Sequence, residues 1–257
     1  DVPFKKTRNS IDHYEEQLQA HVLDFLHDNY QVDVSDEALR FAIQQHNEVC
    51  RLIQEIGDYR KLDVPTITGY EFHVLVLATM ACSKYLILDK IRETAEELRT
   101  RKPDAQKGFR CKVVLAGSEN DDPDFTKLIE SCGALVVADR YCYGAAEARM
   151  PIEIQDGETP LRAIARHYLM TSSCPRFMGQ DEMRERKQHI ADLAKEYHAD
   201  GIIVVSNKFC EYWSYERVID TVVLQRDFGF PVCSIEKEYL NSASGQLRTR
   251  FQAFVES

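Results

Sequence analysis

The stretch CKVVLAGSENDDPDFTKLIESCGALVVAD, residues 111–139, decides how the rest of the chain is read. It opens on a short β-branched run, CKVVLAGS, that ends in a turn. DDPDFTKLIESCG follows, a helical pattern with Pro123 near its start and Gly133 just past its end. Those are the positions where proline and glycine suit a helix best. ALVVAD is a second apolar run. Strand, helix and strand in about thirty residues make a βαβ unit. Nearly continuous apolar strands belong to a parallel sheet covered on both faces.

Toward the C-terminus the alternation continues. After the loop RYCYGAAEARMPIEIQDGETP come two helical patterns, PLRAIARHYLMTS and DEMRERKQHIADLAKEYHAD. GIIVVS, residues 201–206, is a third strand, SYERVIDTVVLQRDFG a helix, FPVCSIE a fourth strand and SGQLRTRFQAFVE a last helix. The class implied is α/β: a doubly wound, flavodoxin-like parallel sheet over residues 105–257,.

Toward the N-terminus, residues 1–104 read as a helical connecting region. SIDHYEEQLQAHVLDFLHDNY carries Leu18, Val22, Leu23 and Leu26 at helical spacing. SDEALRFAIQQHNEVCRLIQEIGDY starts at the N-cap Ser35 and aligns Leu39, Ile43, Val49 and Ile53,. After the break DVPTITG, Thr68 and Glu71 form a capping box,. It opens one long helix through FHVLVLATMACSKYLILDKIRETAEELRTR, stopped by Pro103 and Gly108,.

A chain of 257 residues, 44% hydrophobic and 29% charged, folds around a sizeable core,. The net charge of −10 argues against a broad nucleic-acid surface,. No apolar run approaches the roughly 18–20 residues that span a bilayer, and no signal peptide opens the chain, so the expected location is cytoplasmic. The first residues, DVPFKK, read as mid-protein sequence, so the chain is expected to be processed or partial. Its eight cysteines include no CxxC pair, and reduced thiols are expected in that compartment. There is neither GxGxxG nor a Walker A motif, so any ATP use belongs to a partner,.

Ligands of open parallel sheets bind outside the carboxyl ends of the strands. Those ends are GSENDD (117–122), DRYCYG (139–144), SNKFCEYW (206–213) and EKEYLNSASGQ (236–246). Two cysteines fall there, Cys142 and Cys210. Cys111 and Cys233 lie in strands and Cys132 at a helix end, all read as core. Cys50 and Cys82 read as helix packing and Cys174 as structural. Cys210 has no histidine beside it in sequence to act as a base and no four-ligand zinc grouping. An iron–sulfur cluster accepts ligands scattered among loops, so Cys210 is a metal-ligand candidate, with a buried thiol as the plain alternative. Ser118, Asn120 and Ser206 offer hydrogen bonds at the sheet edge, or cap turns. Gly245 and Gln246 open the last helix, whose N-terminus favours an anion or carbonyl oxygen,. Arg248, Arg250, Lys208 and Arg140 are nearby cations, and Phe209, Tyr212 and Trp213 are either walls of a dry site or core packing.

HADGIIVVSNKFCEYWSYE, then FPVCSIEKEY and SGQLRTRFQAFVE, resembles the C-terminal end of the 2-hydroxyacyl-CoA dehydratase / benzoyl-CoA reductase family. VVLAGSENDDPDFTKLIESCGALVVADRYCYG and PLRAIARHYLMTSSCPR stand upstream in the expected order. The resemblance implies a dimer of two related subunits, a [4Fe-4S] cluster near an acyl-CoA site, and a separate ATP-dependent activator that injects one low-potential electron. Within it, Cys210 in KFC matches the C-terminal cluster cysteine, and Cys142 is a candidate further ligand. The other cluster cysteines belong to an N-terminal α/β domain not seen in this sequence. ADRYCYG and TSSCPR lean toward the reductase branch, which reduces an aromatic acyl-CoA. The dehydratase branch, removing water from a 2-hydroxyacyl-CoA, is the alternative. A cluster-free scaffold subunit is the reading from another class.

Overall fold

The computed structural model describes residues 2–103, 108–142, 144, 150–177, 179–239 and 244–257. Its centre is a parallel sheet of β1 (Cys111–Gly117), β2 (Ala134–Tyr141), β3 (Gly201–Asn207) and β4 (Val232–Lys237), in the order β2-β1-β3-β4. All three pairings are parallel. One face of the sheet is covered by α6 (Pro123–Glu130) and α10 (Ser244–Glu256), around Phe125, Ile129, Leu247 and Phe251. The other is covered by α8 (Gln180–Glu196) and α9 (Glu211–Arg226), around Ile190, Ala194 and Leu224. The expected doubly wound sheet is therefore present.

Local chemistry explains these elements. Asp122 caps α6 by accepting from the Asp124 N–H at 3.0 Å, and Pro123 takes the first helical position. The β1–β2 register shifts between Val113 and Val114, where the partner skips from Val136 to Ala138. The extra residue reverses the side-chain alternation of β2. Ala134 and Val136 thus share the α6/α10 face with Tyr141, while Ala138 packs on the opposite face.

The N-terminal half is helical, as expected. α1 (Arg8–Leu18) runs through a π-helical turn, Gln19–Leu23, into α2 (Asp24–Tyr30). α3 (Asp36–Asp58) is capped by Ser35. It packs with α4 (Gly69–Ala81) and α5 (Lys84–Leu98) around Ile53, Ile56, Phe72, Val76 and Ile91. The Thr68–Glu71 capping box forms. A carboxylate from the α/β region reinforces it: Glu130 accepts from the N–H groups of Gly69 at 2.7 Å and Tyr70 at 3.2 Å. α1 lies on α7 (Pro160–Thr171), where Ile11 meets Leu169 and Phe177, and half-buried Cys174 packs against them.

The single long helix expected over residues 72–101 is two helices. The chain breaks at Cys82, which is extended, so Cys82 is exposed rather than a packing residue. The break turns α5 back along α3, where Arg92 and Arg99 reach Glu48 and Glu55 at 2.6 and 2.8 Å. A straight helix would carry that second apolar face past α3 into water. Among the described residues no helix is long and apolar enough to cross a membrane.

α9 has its faces reversed. It buries Glu216 and Asp220 along with Trp213 and Leu224, and exposes Tyr215, Val218 and Val222. The buried acids face α8: Glu216 accepts from Arg186 and, at 2.9 Å, from Lys187, and Asp220 lies 3.2 Å from Lys187. Burial pushes the Asp220 carboxyl up to about 6, against the pull of Lys187. Burial also works against ionised Glu216, but Arg186 and Lys187 hold it below the usual carboxylate range.

Candidate functional site

The strand order reverses between β1 and β3: α6 leaves β1 on one face and α9 leaves β3 on the other. A crevice between carboxyl ends is expected at such a switch point. The two strand ends are tied closely together there. Gly117 has φ +138°, and a Cβ on it would lie 1.9 Å from the Val205 carbonyl oxygen, so only glycine fits. Ser118 donates its N–H to the Val205 carbonyl, and its Oγ accepts from the Asn207 N–H, both at 2.9 Å.

Two side chains beyond this tie are buried with unmet hydrogen bonds. Asn120 is 4% exposed, and among the described residues neither Nδ2 nor Oδ1 has a hydrogen-bond partner. Asn207 is 5% exposed; its Nδ2 donates to the Glu119 carbonyl at 3.1 Å, and its Oδ1 has no partner among the described residues. A buried polar group without a partner costs about 1–3 kcal/mol. Buried groups of this kind are uncommon in native proteins, and each calls for an explanation.

His73, on α4, holds the Asn120 loop. Its Nε2 is 2.8 Å from the Asn120 carbonyl oxygen and its Nδ1 is 2.9 Å from Thr126 Oγ1. A carbonyl only accepts, so Nε2 carries the proton and the Thr126 hydroxyl donates to Nδ1. Burial lowers the His73 pKa, opposed mainly by Asp139, which suits this neutral tautomer.

Cys210 stands at the end of the turn that leaves β3. Its N–H donates to the Asn207 carbonyl at 3.1 Å. Its own carbonyl accepts from the Ser214 N–H and hydroxyl, both at 2.9 Å, which starts α9. The thiol is half-buried and does not cap the helix. Phe209, just before it, has φ +70° and is 98% exposed. Turns of this kind prefer glycine at that position, and a bulky residue held there is strained. The loop after β4 closes over the same end: the Tyr239 hydroxyl donates to Asp121, and Lys208 pairs with Glu238 at 3.0 Å. Burial lowers the pKa of Lys237, against Asp122, Asp121 and Glu119.

The strand-end reading therefore brings together Ser118, Asn120 and Cys210, with Lys208 and Phe209 at the rim. Other expected residues lie elsewhere. Ser206 is fully buried on the α9 side, where its Oγ accepts from Arg217 Nε at 2.8 Å. Arg140 is buried and donates to His189 and Ser173. Arg250 donates to the Ser234 carbonyl at 2.6 Å, and Gln246 and Arg248 are exposed on α10. Cys142 follows β2, and β1 lies between β2 and β3. That sets the Cys142 and Cys210 strands roughly 10 Å apart, two strand spacings. Trp213 is core, whereas Phe209, which was expected to be a wall or core residue, packs into neither. Asn207 and His73 were not foreseen. Asn207 was hidden by a strand end placed one residue early, and His73 lies 47 residues from Asn120 in the chain.

Among the described residues no group of three or more His, Cys, Asp and Glu side chains is arranged to hold a metal ion. A [4Fe-4S] cluster needs more ligands than Cys210. These residues alone do not make its site.

A second concavity, about 330 Å³, lies between α3, α8 and β2. Arg60 stacks 3.5 Å from the Phe72 ring centroid and pairs with Asp139 at 3.0 Å. Lys61 is met by Asp58 and Glu196 at 2.7 and 2.5 Å. These charges are matched within the protein.

Comparison with known proteins now bears on the crevice. The family described as 2-hydroxyglutaryl-CoA dehydratase, D-component, matches residues 1–257. The chain belongs to this family. It is 25% identical over 227 residues to the (R)-phenyllactyl-CoA dehydratase beta subunit of Clostridium sporogenes, covering 87% of this chain and 58% of that protein. It is 24% identical over 241 residues to the beta subunit of the (R)-2-hydroxyglutaryl-CoA dehydratase of Acidaminococcus fermentans, covering 88% and 59%. It is 22% identical over 188 residues to a benzoyl-CoA reductase subunit of Thauera aromatica, covering 72% and 47%. This D-component family member thus spans about half to three-fifths of the length of these relatives. The family resemblance seen in the sequence is confirmed, and an enzyme subunit is supported.

Proposed function

We propose that this chain is a subunit of an iron–sulfur acyl-CoA enzyme, acting with a related sister subunit and an ATP-dependent activator. The observation that carries the reading is membership of the D-component family together with a half-buried thiol, Cys210, in the turn that leaves β3. In this reading Cys210 supplies one thiolate to a [4Fe-4S] cluster completed by residues outside the described set. Such a cluster, when bound, supplies one-electron transfer. What this chain contributes is positional. Ser118 and Gly117 tie the ends of β1 and β3 together, His73 holds the Asn120 loop, and the Asn207–Cys210 turn carries the thiol.

Two outcomes share this site. The reductase branch, favoured by ADRYCYG and TSSCPR, reduces an aromatic acyl group. The dehydratase branch removes water from a 2-hydroxyacyl group. The test is anaerobic turnover by the native assembly with its activator, ATP and a low-potential reductant. Formation of a 2-enoyl-CoA from a 2-hydroxyacyl-CoA supports the dehydratase, and loss of aromatic absorbance from benzoyl-CoA supports the reductase. Activity on neither, in an assembly shown to contain iron and sulfide, refutes the acyl-CoA reading.

A further inference from the structure

We propose that the outer face of α9 is a contact between two copies of this chain, packed antiparallel about a two-fold axis. The inference does not depend on the acyl-CoA reading.

α9 carries its charges inward and its apolar residues outward. Glu216 and Asp220 face Arg186 and Lys187 of α8. Tyr215, Val218 and Val222 are 68, 57 and 52% exposed. The helix itself does not call for them. Valine loses side-chain freedom in a helix, and an outward helical face is ordinarily polar. α9 packs chiefly on β3, β4 and α8, which leave these three residues in water. Scattered apolar residues on a surface need no explanation, but these form a line. Glu211, Tyr215, Val218, Val222 and Gln225 follow one another at steps of four, three, four and three residues. That is the seam along which two helices pack at a small angle.

The order of residues along the seam points to the occupant. The seam has the same character read from either end, about the point midway between Val218 and half-buried Ile219. Tyr215 and Val222 lie equally far on either side of that point, and so do Glu211 and Arg226. An antiparallel second copy therefore sets Tyr215 against Val222, Val218 against Ile219 and Glu211 against Arg226, each contact made twice. Such self-complementarity is what a two-fold contact requires. A parallel copy would set Glu211 against Glu211. Arg226 holds Asp227 through Nε and Nη2 at 2.5 and 2.9 Å, and its Nη1 takes part in neither bond. Phe209, 98% exposed just ahead of the helix, has half-buried Phe228 as its counterpart at the other end.

The apolar seam supplies the attraction. Exposed ion pairs add little strength, so the end charges set direction and register. A helix of 16 residues is about 24 Å long and roughly 10 Å across,. Its face is well short of the roughly 800 Å² per partner of a standard interface, so the pairing is reversible and depends on concentration.

The experiment is light scattering of the longest native form, purified anaerobically with the subunits that accompany it, over a wide range of concentration. A second copy of this chain is expected to join each particle as concentration rises. Val222→Glu should abolish that step, with folding checked by circular dichroism. Glu211→Arg and Arg226→Glu each set like charges against one another and should weaken pairing about 3- to 10-fold. The double variant exchanges the two charges and should pair like the wild type. A single copy per particle at every concentration overturns the proposal, and so does a folded Val222→Glu that pairs like the wild type. A double variant as weak as its parents also overturns it, and assigns the face to a polypeptide other than a second copy.

Discussion

At its amino-terminal edge the sheet is closed by its own hydrogen bonds. Arg110 N–H meets the Gly133 carbonyl at 2.8 Å, Asp200 N–H meets the Lys112 carbonyl at 2.8 Å, and Asp200 Oδ2 accepts in turn from the Lys112 N–H at 2.7 Å. Ile202 N–H reaches the Pro231 carbonyl at 2.9 Å. At the carboxyl edge, 4%-exposed Asn120 has two amide atoms with no partner among the described residues, Phe209 stands in left-handed backbone, and its side chain lies almost wholly in water. One strand set and the same two packed faces support both edges, so composition does not explain the difference. The contrast separates two uses of the same sheet. One edge minimises free energy, and the other carries unmet bonds and strain of the kind that marks functional positions.

The contrast breaks most severely at Gly117. Gly117→Ala forces a Cβ to within 1.9 Å of the Val205 carbonyl oxygen at a φ of +138°. It should cost more than about 3 kcal/mol, read as a large drop in denaturation midpoint. A loss under about 1 kcal/mol would mean that the β1 and β3 ends are not held together as described.

Next in size is a pH effect at the junction of the helical region with the sheet. Burial pushes the Glu130 carboxyl up from 4.5 to about 7, against the N–H groups of Gly69, Tyr70 and Val136. A raised folded-state value means that the folded protein binds more protons between those limits. Stability should therefore fall as pH rises through that window, by at most about 3 kcal/mol. Glu130→Gln should flatten this slope in urea titrations run at pH 4.5 to 7. An unchanged slope would show that the three N–H bonds already keep the carboxyl ionised.

The carboxyl edge should also be easier to stabilise than the amino edge. Asn120→Leu removes unpartnered polar atoms and should raise the stability of the protein by about 1–2 kcal/mol. Phe209→Asn places a residue that tolerates left-handed backbone, for a gain of about 1 kcal/mol. Asp200→Ala at the opposite edge should lose about 1 kcal/mol. Thermal melts that show these changes with the same sign at both edges would dissolve the contrast.

The sequence disclosed much of this architecture and less of the crevice. The strands were legible because VVLA, LVVA and IIVV are nearly continuous apolar runs. The break at Cys82 was not, because residues 72–101 keep a helical period across it. α9 was legible as a helix but not in its facing, since its inward acids are neutralised by Arg186 and Lys187, which are distant in sequence. The strand-end rule named Ser118, Asn120 and Cys210, and all three stand at the carboxyl edge. It chose Ser206 over Asn207 because side chains alternate across a strand, so an end misplaced by one residue selects the wrong face. His73 reaches the crevice through tertiary packing, for which local spacing holds no signal.

The central claim is that Cys210, at the edge left unsatisfied, is a cluster ligand of the assembled enzyme. The direct measurement is iron and sulfide content of the longest native form, purified anaerobically, for the wild type and Cys210→Ala, with folding checked by circular dichroism. The account predicts about four iron and four sulfide per chain in the wild type and a sharp loss of both in the folded variant. Equal iron and sulfide in the two proteins, or none in either, would contradict it and put the scaffold reading in its place.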